Sequence, residues 1–199
     1  IVFVNCEFKQ VPLVNGLLKV INEIIDNSID EHIRTDRKFA TEISVNVKNG
    51  VVEIKDNGRG IPAVEVDTPD GKKYQLVAAF THARAGSNFD DTKRESIGTN
   101  GVGSMITFVT SKKFEAKSSD GKREVHLTSK DAKVTDVKSS VSSINGTIVK
   151  FTPDYGFFGL DCMTQDHIDM VETRVKSLAL AFPSIRFKFN SRVVKVKFE

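Results

Sequence analysis

Asn49-Gly50 stands between two alternating runs, Ile43-Ser-Val-Asn-Val47 and Val51-Val-Glu-Ile54. This pairing predicts a two-residue hairpin, because Asn and Gly accept the left-handed backbone that matches the twist of the flanking strands. Further strands are expected near 113–117, 123–128, 132–138 and 147–152. A helix at about 165–181 leads to a last hairpin, Ile185–Phe189 and Val193–Phe198, turning at Asn190-Ser191. Residues from about Thr68 to Asn100 read as irregular with short helical pieces. Strands thus follow one another at short turns without regular strand–helix alternation. That pattern favours an α+β sandwich: a mostly antiparallel mixed sheet with helices on one face.

The run from Val11 to Arg34 has helical periodicity. Val14, Leu18, Ile21 and Ile25 share one face, and Glu23, Asn27, Asp30 and Arg34 fall on the opposite one. One side is expected to pack while the other presents polar groups. The charge of +3 and pI near 8.8 are too mild to argue for nucleic-acid binding, and the lysines read as solvated strand faces. Cys6 and Cys162 form no CxxC pattern and suggest a reducing compartment, the cytoplasm. The four histidines share no ligand spacing, and no apolar run approaches the roughly 20 residues of a membrane span. The chain begins at Ile1 rather than Met, so flanking parts of a longer protein are expected.

Three separated clusters carry chemistry. In Glu23-Ile-Ile-Asp-Asn-Ser-Ile-Asp-Glu31 a carboxylate stands one turn before an amide. The first can accept a proton from water, and the second can offer an oxygen to Mg²⁺; an exposed acidic helix face explains the same residues. In Asp56-Asn-Gly-Arg-Gly-Ile-Pro62 two glycines let backbone approach a flat ligand, and Asp56 can accept from an adenine amino group; a hairpin exit is the plainer reading. Gly98-Thr-Asn-Gly-Val-Gly103 leads into a helix, where backbone N–H groups suit phosphates. No Gly-Lys-Ser/Thr follows it, and no βαβ unit surrounds it. The three together, in this order, decide for a nucleotide site.

Their order and spelling resemble the GHKL ATPases, and within them the ATPase domains of type IIA DNA topoisomerases. The lid-like Ala85-Gly-Ser-Asn-Phe-Asp90, and Gly146-Thr147 before Val-Lys-Phe-Thr-Pro-Asp154, belong to the same resemblance. Asn100 and the Ser-Asn of the lid lean toward the eukaryotic and T-even-phage branch. The resemblance implies the Bergerat two-layer sandwich, with ATP and Mg²⁺ as ligands. Glu23 would be the general base and Asn27 the Mg²⁺ ligand. Asp56 would take the adenine amino group, supported by Thr147 through a shared water. Gly58, Gly60 and Ile61 would border the base. Ser87 and Asn88, with Gly98, Thr99, Asn100, Gly101, Val102 and Gly103, would wrap the triphosphate. Arg59 would pair with Glu31 at the rim, with Asp26 and Asp30 in support.

Departures from the family pattern are Ile97, where the lid usually carries Gly, and His32 after the acidic motif, read as a helix-surface residue. Phe157-Phe158 reads as a core plug. The resemblance implies one ATPase domain over 1–199, without the transducer and DNA-cleavage domains. Such a fragment is expected to bind ATP and Mg²⁺, turn over slowly and be mostly monomeric. In the whole enzyme it would close against a second copy around DNA. A sensor kinase's catalytic domain, a chaperone or mismatch-repair ATPase, and a non-catalytic nucleotide module are the alternatives. The first lacks a water-activating carboxylate at the position of Glu23.

Overall fold

The computed structural model describes residues 2–4, 7–9, 14–83 and 102–195. A small hairpin of β1 (Val2–Val4) and β2 (Glu7–Lys9) precedes α1 (Asn15–Arg34). Then come β3 (Glu42–Lys48), β4 (Val51–Asp56), β5 (Glu65–Thr68), β6 (Gly71–Tyr74), α2 (Gln75–Thr81) and α3 (Gly103–Val109). The second half comprises β7 (Ser111–Asp120), β8 (Arg123–Lys130), β9 (Lys133–Val141), β10 (Asn145–Pro153), α4 (Gln165–Ala181), β11 (Arg186–Phe189) and β12 (Arg192–Val193). Eight strands form one sheet in the order β12-β11-β3-β4-β10-β7-β8-β9, antiparallel throughout except where β11 runs parallel to β3.

Local chemistry explains the turns. Asn49 and Gly50 both have positive φ, 51° and 71°, and join β3 to β4 as the Asn-Gly pair predicts. Asn190 and Ser191 do the same between β11 and β12 at 46° and 66°. The described part of the 68–100 stretch, residues 68–83, is more regular than expected. Pro69-Asp70-Gly71 turns β5 into β6, and α2 follows at once; Pro-Asp-Gly is ordinary turn chemistry.

One face of the sheet is buried. Val45, Val52, Ile54, Val149, Phe151, Phe114 and Leu127 project from it toward α1 and α4, whose Leu17, Ile21, Ile25, Val175 and Leu178 close the core. Phe114 anchors this layer, with ring centroids 4.9 Å from Phe80, 5.3 Å from Phe108 and 6.4 Å from Phe151; aromatic pairs at such spacings add to plain area burial. The opposite face alternates partly exposed polar residues, and no helix among the described residues covers it.

The polar row of α1 is only partly in solvent: Asn27 and Arg34 are exposed and Asp30 is buried, as are Asp26 and Ser28 beside the row. Two expectations about helices and loops change. His32 is not a surface residue. It is 1% exposed, with Nδ1 bonded to the Phe39 carbonyl at 2.8 Å and Nε2 to Ser184 Oγ at 2.8 Å, so it joins α1 to two loops. Of the Phe157-Phe158 pair, Phe158 packs on the core beside Gly16, whereas Phe157 is 69% exposed.

Candidate active site

A cavity of about 570 Å³ opens between α1, the end of β4, the 59–62 segment and α2. Asp56, the last residue of β4, forms its floor. It is 9% exposed and lies in register between Ile43 of β3 and Thr147 of β10. The Gly58 N–H donates to Asp56 Oδ1 at 2.8 Å, and the Ser28 hydroxyl donates to Oδ2 at 2.9 Å. Burial pushes the Asp56 carboxyl above its ordinary range; the donors Gly58, Ser28 and the Thr147 backbone pull it back only in part. A floor carboxylate whose acceptor capacity is not exhausted by these donors is suited to accept from a ligand's amino group.

The wall beside it is a hydroxyl chain. The Ile61 N–H donates to Ser118 Oγ at 2.7 Å, and Ser118 Oγ lies 3.0 Å from Thr147 Oγ1. This ties the 58–62 segment to β7 and β10. Gly60 has φ +76°, and a Cβ there would collide with the Ser119 carbonyl. Close approach to β7 by itself therefore requires glycine at this position, which also lines the cavity. Gly58 is likewise spent on Asp56, whose Oδ1 lies where its Cβ would crowd.

At the mouth, Glu31 accepts from Arg59 Nε at 2.8 Å and Nη2 at 3.2 Å, from the Arg59 backbone N–H at 3.2 Å, and from Arg34 Nη2 at 2.7 Å. Burial would raise the Glu31 carboxyl, but the hydrogen bonds from Arg59 and Arg34 outweigh it and hold the group below its usual value.

One turn further toward the start of α1, the beginning of α3 is pressed against the same helix. Asn27 Nδ2 donates to Ser104 Oγ at 2.9 Å, and Thr107 Oγ1 donates to the Val20 carbonyl at 2.9 Å. Gly103 lies directly against Glu23, whose carboxylate occupies the space a Cβ would need. Lys19, one turn back, forms an ion pair with Glu23. With Nδ2 committed to Ser104, Oδ1 is the Asn27 atom left for a cation.

The cavity thus brings together Asn27, Asp30, Glu31, Asp56, Arg59, Gly60, Ile61 and Thr147. Glu23, Val102 and Gly103 stand beyond its lining, at the α1–α3 contact. Asp26 does not support the site: it turns to α4, 3.3 Å from Arg174 Nη2, and burial, offset by Arg174, raises its carboxyl. Ser87, Asn88, Gly98, Thr99, Asn100 and Gly101 lie outside the described residues. Sequence reasoning missed Ser28, Ser104, Ser118, Gln75 and Phe80. Ser28 stood inside the acidic motif with its spacing to Asn27 in view; the others carry no local signal. Among the described residues no group of three or more His, Cys, Asp or Glu side chains could hold a metal, and no helix is long and apolar enough to cross a membrane.

Known proteins resemble the chain in sequence and in fold. The chain is 39% identical to the DNA topoisomerase large subunit of Enterobacteria phage T4 across 99% of its own length and 39% of that protein. It is 32% identical to DNA topoisomerase 2 of Trypanosoma cruzi, across 92% of the chain and 15% of the relative. The chain therefore spans well under half the length of these relatives. Among solved structures, the ATPase region of Saccharomyces cerevisiae topoisomerase II bound to ICRF-187 (dexrazoxane) superposes with a TM-score of 0.87 at 25% identity. That match covers 95% of this chain and 51% of that one. Residues 13–156, which hold α1, the Asp56 floor and the Thr147 wall, match the model of the histidine kinase-, DNA gyrase B- and HSP90-like ATPases, and the chain belongs to that family.

Proposed function

We propose that the chain is the ATP-binding and ATP-hydrolysing domain of a type II DNA topoisomerase. The observation that carries this reading is Asp56: a buried carboxylate, oriented by Ser28 and Gly58, on the floor of a cavity whose rim leads along α1 to Asn27 and Glu23. Adenine would sit on Asp56 and Thr147, and its phosphates would run toward the α3 start and the Gly98–Gly103 stretch. Glu23 would take a proton from the water that attacks the γ-phosphorus, as the bond to the bridging oxygen breaks and ADP leaves. Glu23 enters this step anchored by Lys19 and Gly103.

Mg²⁺ fits the residues present. It needs few protein ligands and keeps its own waters, and Asn27 Oδ1 is a hard oxygen at the phosphate end of the cavity. The ion would neutralise phosphate charge when bound.

In the whole enzyme, ATP would close two such domains around a DNA duplex, and hydrolysis would reopen them. Residues 1–199 would act there as one ATPase unit, in the cytoplasm, and alone they would turn over slowly as a monomer.

Calorimetry with ATP and Mg²⁺ on the wild type, Asp56→Asn and Glu23→Gln tests the reading. Binding should be lost in Asp56→Asn and nearly intact in Glu23→Gln, with hydrolysis in the latter reduced roughly 10²–10⁴-fold. Equal binding by Asp56→Asn would remove the adenine assignment.

A further inference from the structure

The sheet face that carries no helix holds a regular row of cations. Strand register aligns Lys188 of β11 with Ser44 of β3, Ser44 with Lys55 of β4, and Lys55 with Ile148 of β10. Ile148 then aligns with Lys117 of β7, Lys117 with His126 of β8, and His126 with Lys138 of β9. Every second strand thus contributes a lysine to one line across the sheet. At ~4.8 Å between strands, the lysines stand ~10 Å apart and the line runs ~29 Å.

The charges in this row are available to an outside partner. Lys188 pairs with Glu42 at 2.6 Å, Lys138 with Asp136 at 2.6 Å, and Lys117 with Glu115 at 3.8 Å. The pairs of Lys117 and Lys138 are exposed, contribute little and are readily exchanged for another anion, whereas the Lys188–Glu42 pair is half-buried and held more firmly. Lys55 is exposed and has no charge partner among the described residues. At the Lys188 end the face dips into a concavity of about 250 Å³ lined by Ser44, Lys55, Asn57, Lys188 and Ser191, together with the acidic residues Glu42 and Asp56. Ammonium and hydroxyl groups together suit a phosphate oxygen.

We propose that this row is a docking surface for the phosphate backbone of duplex DNA, on the side of the sheet opposite the Asp56 cavity. Its geometry favours a long, evenly charged rod. A duplex turns once in about 34 Å, so a row of ~29 Å meets both strands where they border a groove, and the long lysine side chains reach phosphates on either side. A duplex is favoured over a single strand because the row holds no Phe, Tyr or Trp on which an unstacked base could lie. Its lysines bear on phosphates and read no base edges, so binding is independent of sequence. The mild net charge of the chain, +3, understates this surface because the charge is arranged rather than large.

The test is fluorescence anisotropy of a labelled random-sequence duplex of ~30 base pairs, titrated with the chain over a range of salt. Four phosphate contacts predict a slope of log K against log salt of about −3.6, and the triple variant Lys55→Gln, Lys117→Gln, Lys138→Gln should reduce it by about 2.7. A control with the same charge loss on other surfaces, Lys38→Gln with Lys72→Gln and Lys176→Gln, should leave the slope close to wild type. Equal losses in the two triples would overturn the proposal, since net charge alone would then explain binding. So would the absence of salt-dependent binding, or a preference for single-stranded DNA of equal length. ATP calorimetry on each triple reports whether the variants are folded. If ATP binding is absent from the wild type as well, the nucleotide assignment fails while the anisotropy result stands by itself.

Discussion

The Ser28 hydroxyl of α1 donates to Asp56 Oδ2 of β4 over 2.9 Å, joining the helix to the sheet at the cavity floor. Both residues are buried, so the bond is shielded from competing water. It orients the carboxylate and favours its charged form against a burial that opposes ionisation. Ser28→Ala should weaken ATP binding roughly tenfold, in the range of a hydrogen bond to a charged group. It should also push the Asp56 carboxyl further up, so that ATP binding fails at a higher pH than in the wild type on acidification. Calorimetry from neutral to acidic pH measures both. An unchanged affinity with an unchanged pH limit would show that Ser28 merely fills space.

The same carboxylate opposes folding while serving binding. Burial is the largest influence on Asp56 and raises its pKa above the ordinary 3.8. The folded state then holds a proton that the unfolded state has already released, so stability falls as pH rises from the unfolded pKa through the folded one. At neutral pH the ionised group is a cost. Asp56→Asn keeps the shape, with its oxygen accepting from the Gly58 N–H and its NH₂ donating to a turned Ser28 hydroxyl, so its thermal midpoint at pH 7 should equal or exceed that of the wild type while ATP binding is lost. A midpoint lowered by several degrees would mean that the charge holds the fold together.

Much of this was legible because it is local. The Asn49-Gly50 hairpin and the helix over Gln165–Ala181 lie where periodicity and turn chemistry put them. The Glu23/Asn27 spacing and the Asp-Asn-Gly-Arg-Gly segment were likewise readable residue by residue. The Arg59–Glu31 ion pair joins two such motifs. What stayed hidden depends on residues distant in sequence. The contact of Asn27 with Ser104 spans 77 positions, and the Ser118–Thr147 pair lies on neighbouring strands that no pattern links. Periodicity cannot see a second layer: Arg174 of α4 pairs with Asp26, and His32, read as a surface residue, is buried.

His32 is the sharpest case of that effect, and its role is testable. Its two ring nitrogens meet the Phe39 carbonyl and Ser184 Oγ, both at 2.8 Å, inside the fold. His32→Leu would remove two hydrogen bonds of the buried ring, at about 0.5–1.5 kcal/mol each, while Phe39 and Ser184 lie at the surface and can turn to water. Urea unfolding should show that loss, while ATP affinity of the folded protein stays as in the wild type because His32 does not line the cavity. A large drop in affinity with unchanged stability would place the imidazole in the binding machinery.

Gly103 separates binding from chemistry. Its Cα lies against the Glu23 carboxylate, so a single added methyl must push that carboxylate, or the start of α3, out of place. Lys19 holds Glu23 from the other side and limits where it can go. If Glu23 is the base, Gly103→Ala should lower the hydrolysis rate about 10²-fold, the typical effect of displacing a reacting group by ~1 Å. ATP affinity should change far less, since Asp56 and Thr147 are untouched. Single-turnover hydrolysis beside calorimetry distinguishes the outcomes. A normal rate with the methyl in place would show that Glu23 needs no exact position, and the carboxylate would lose its standing as the base.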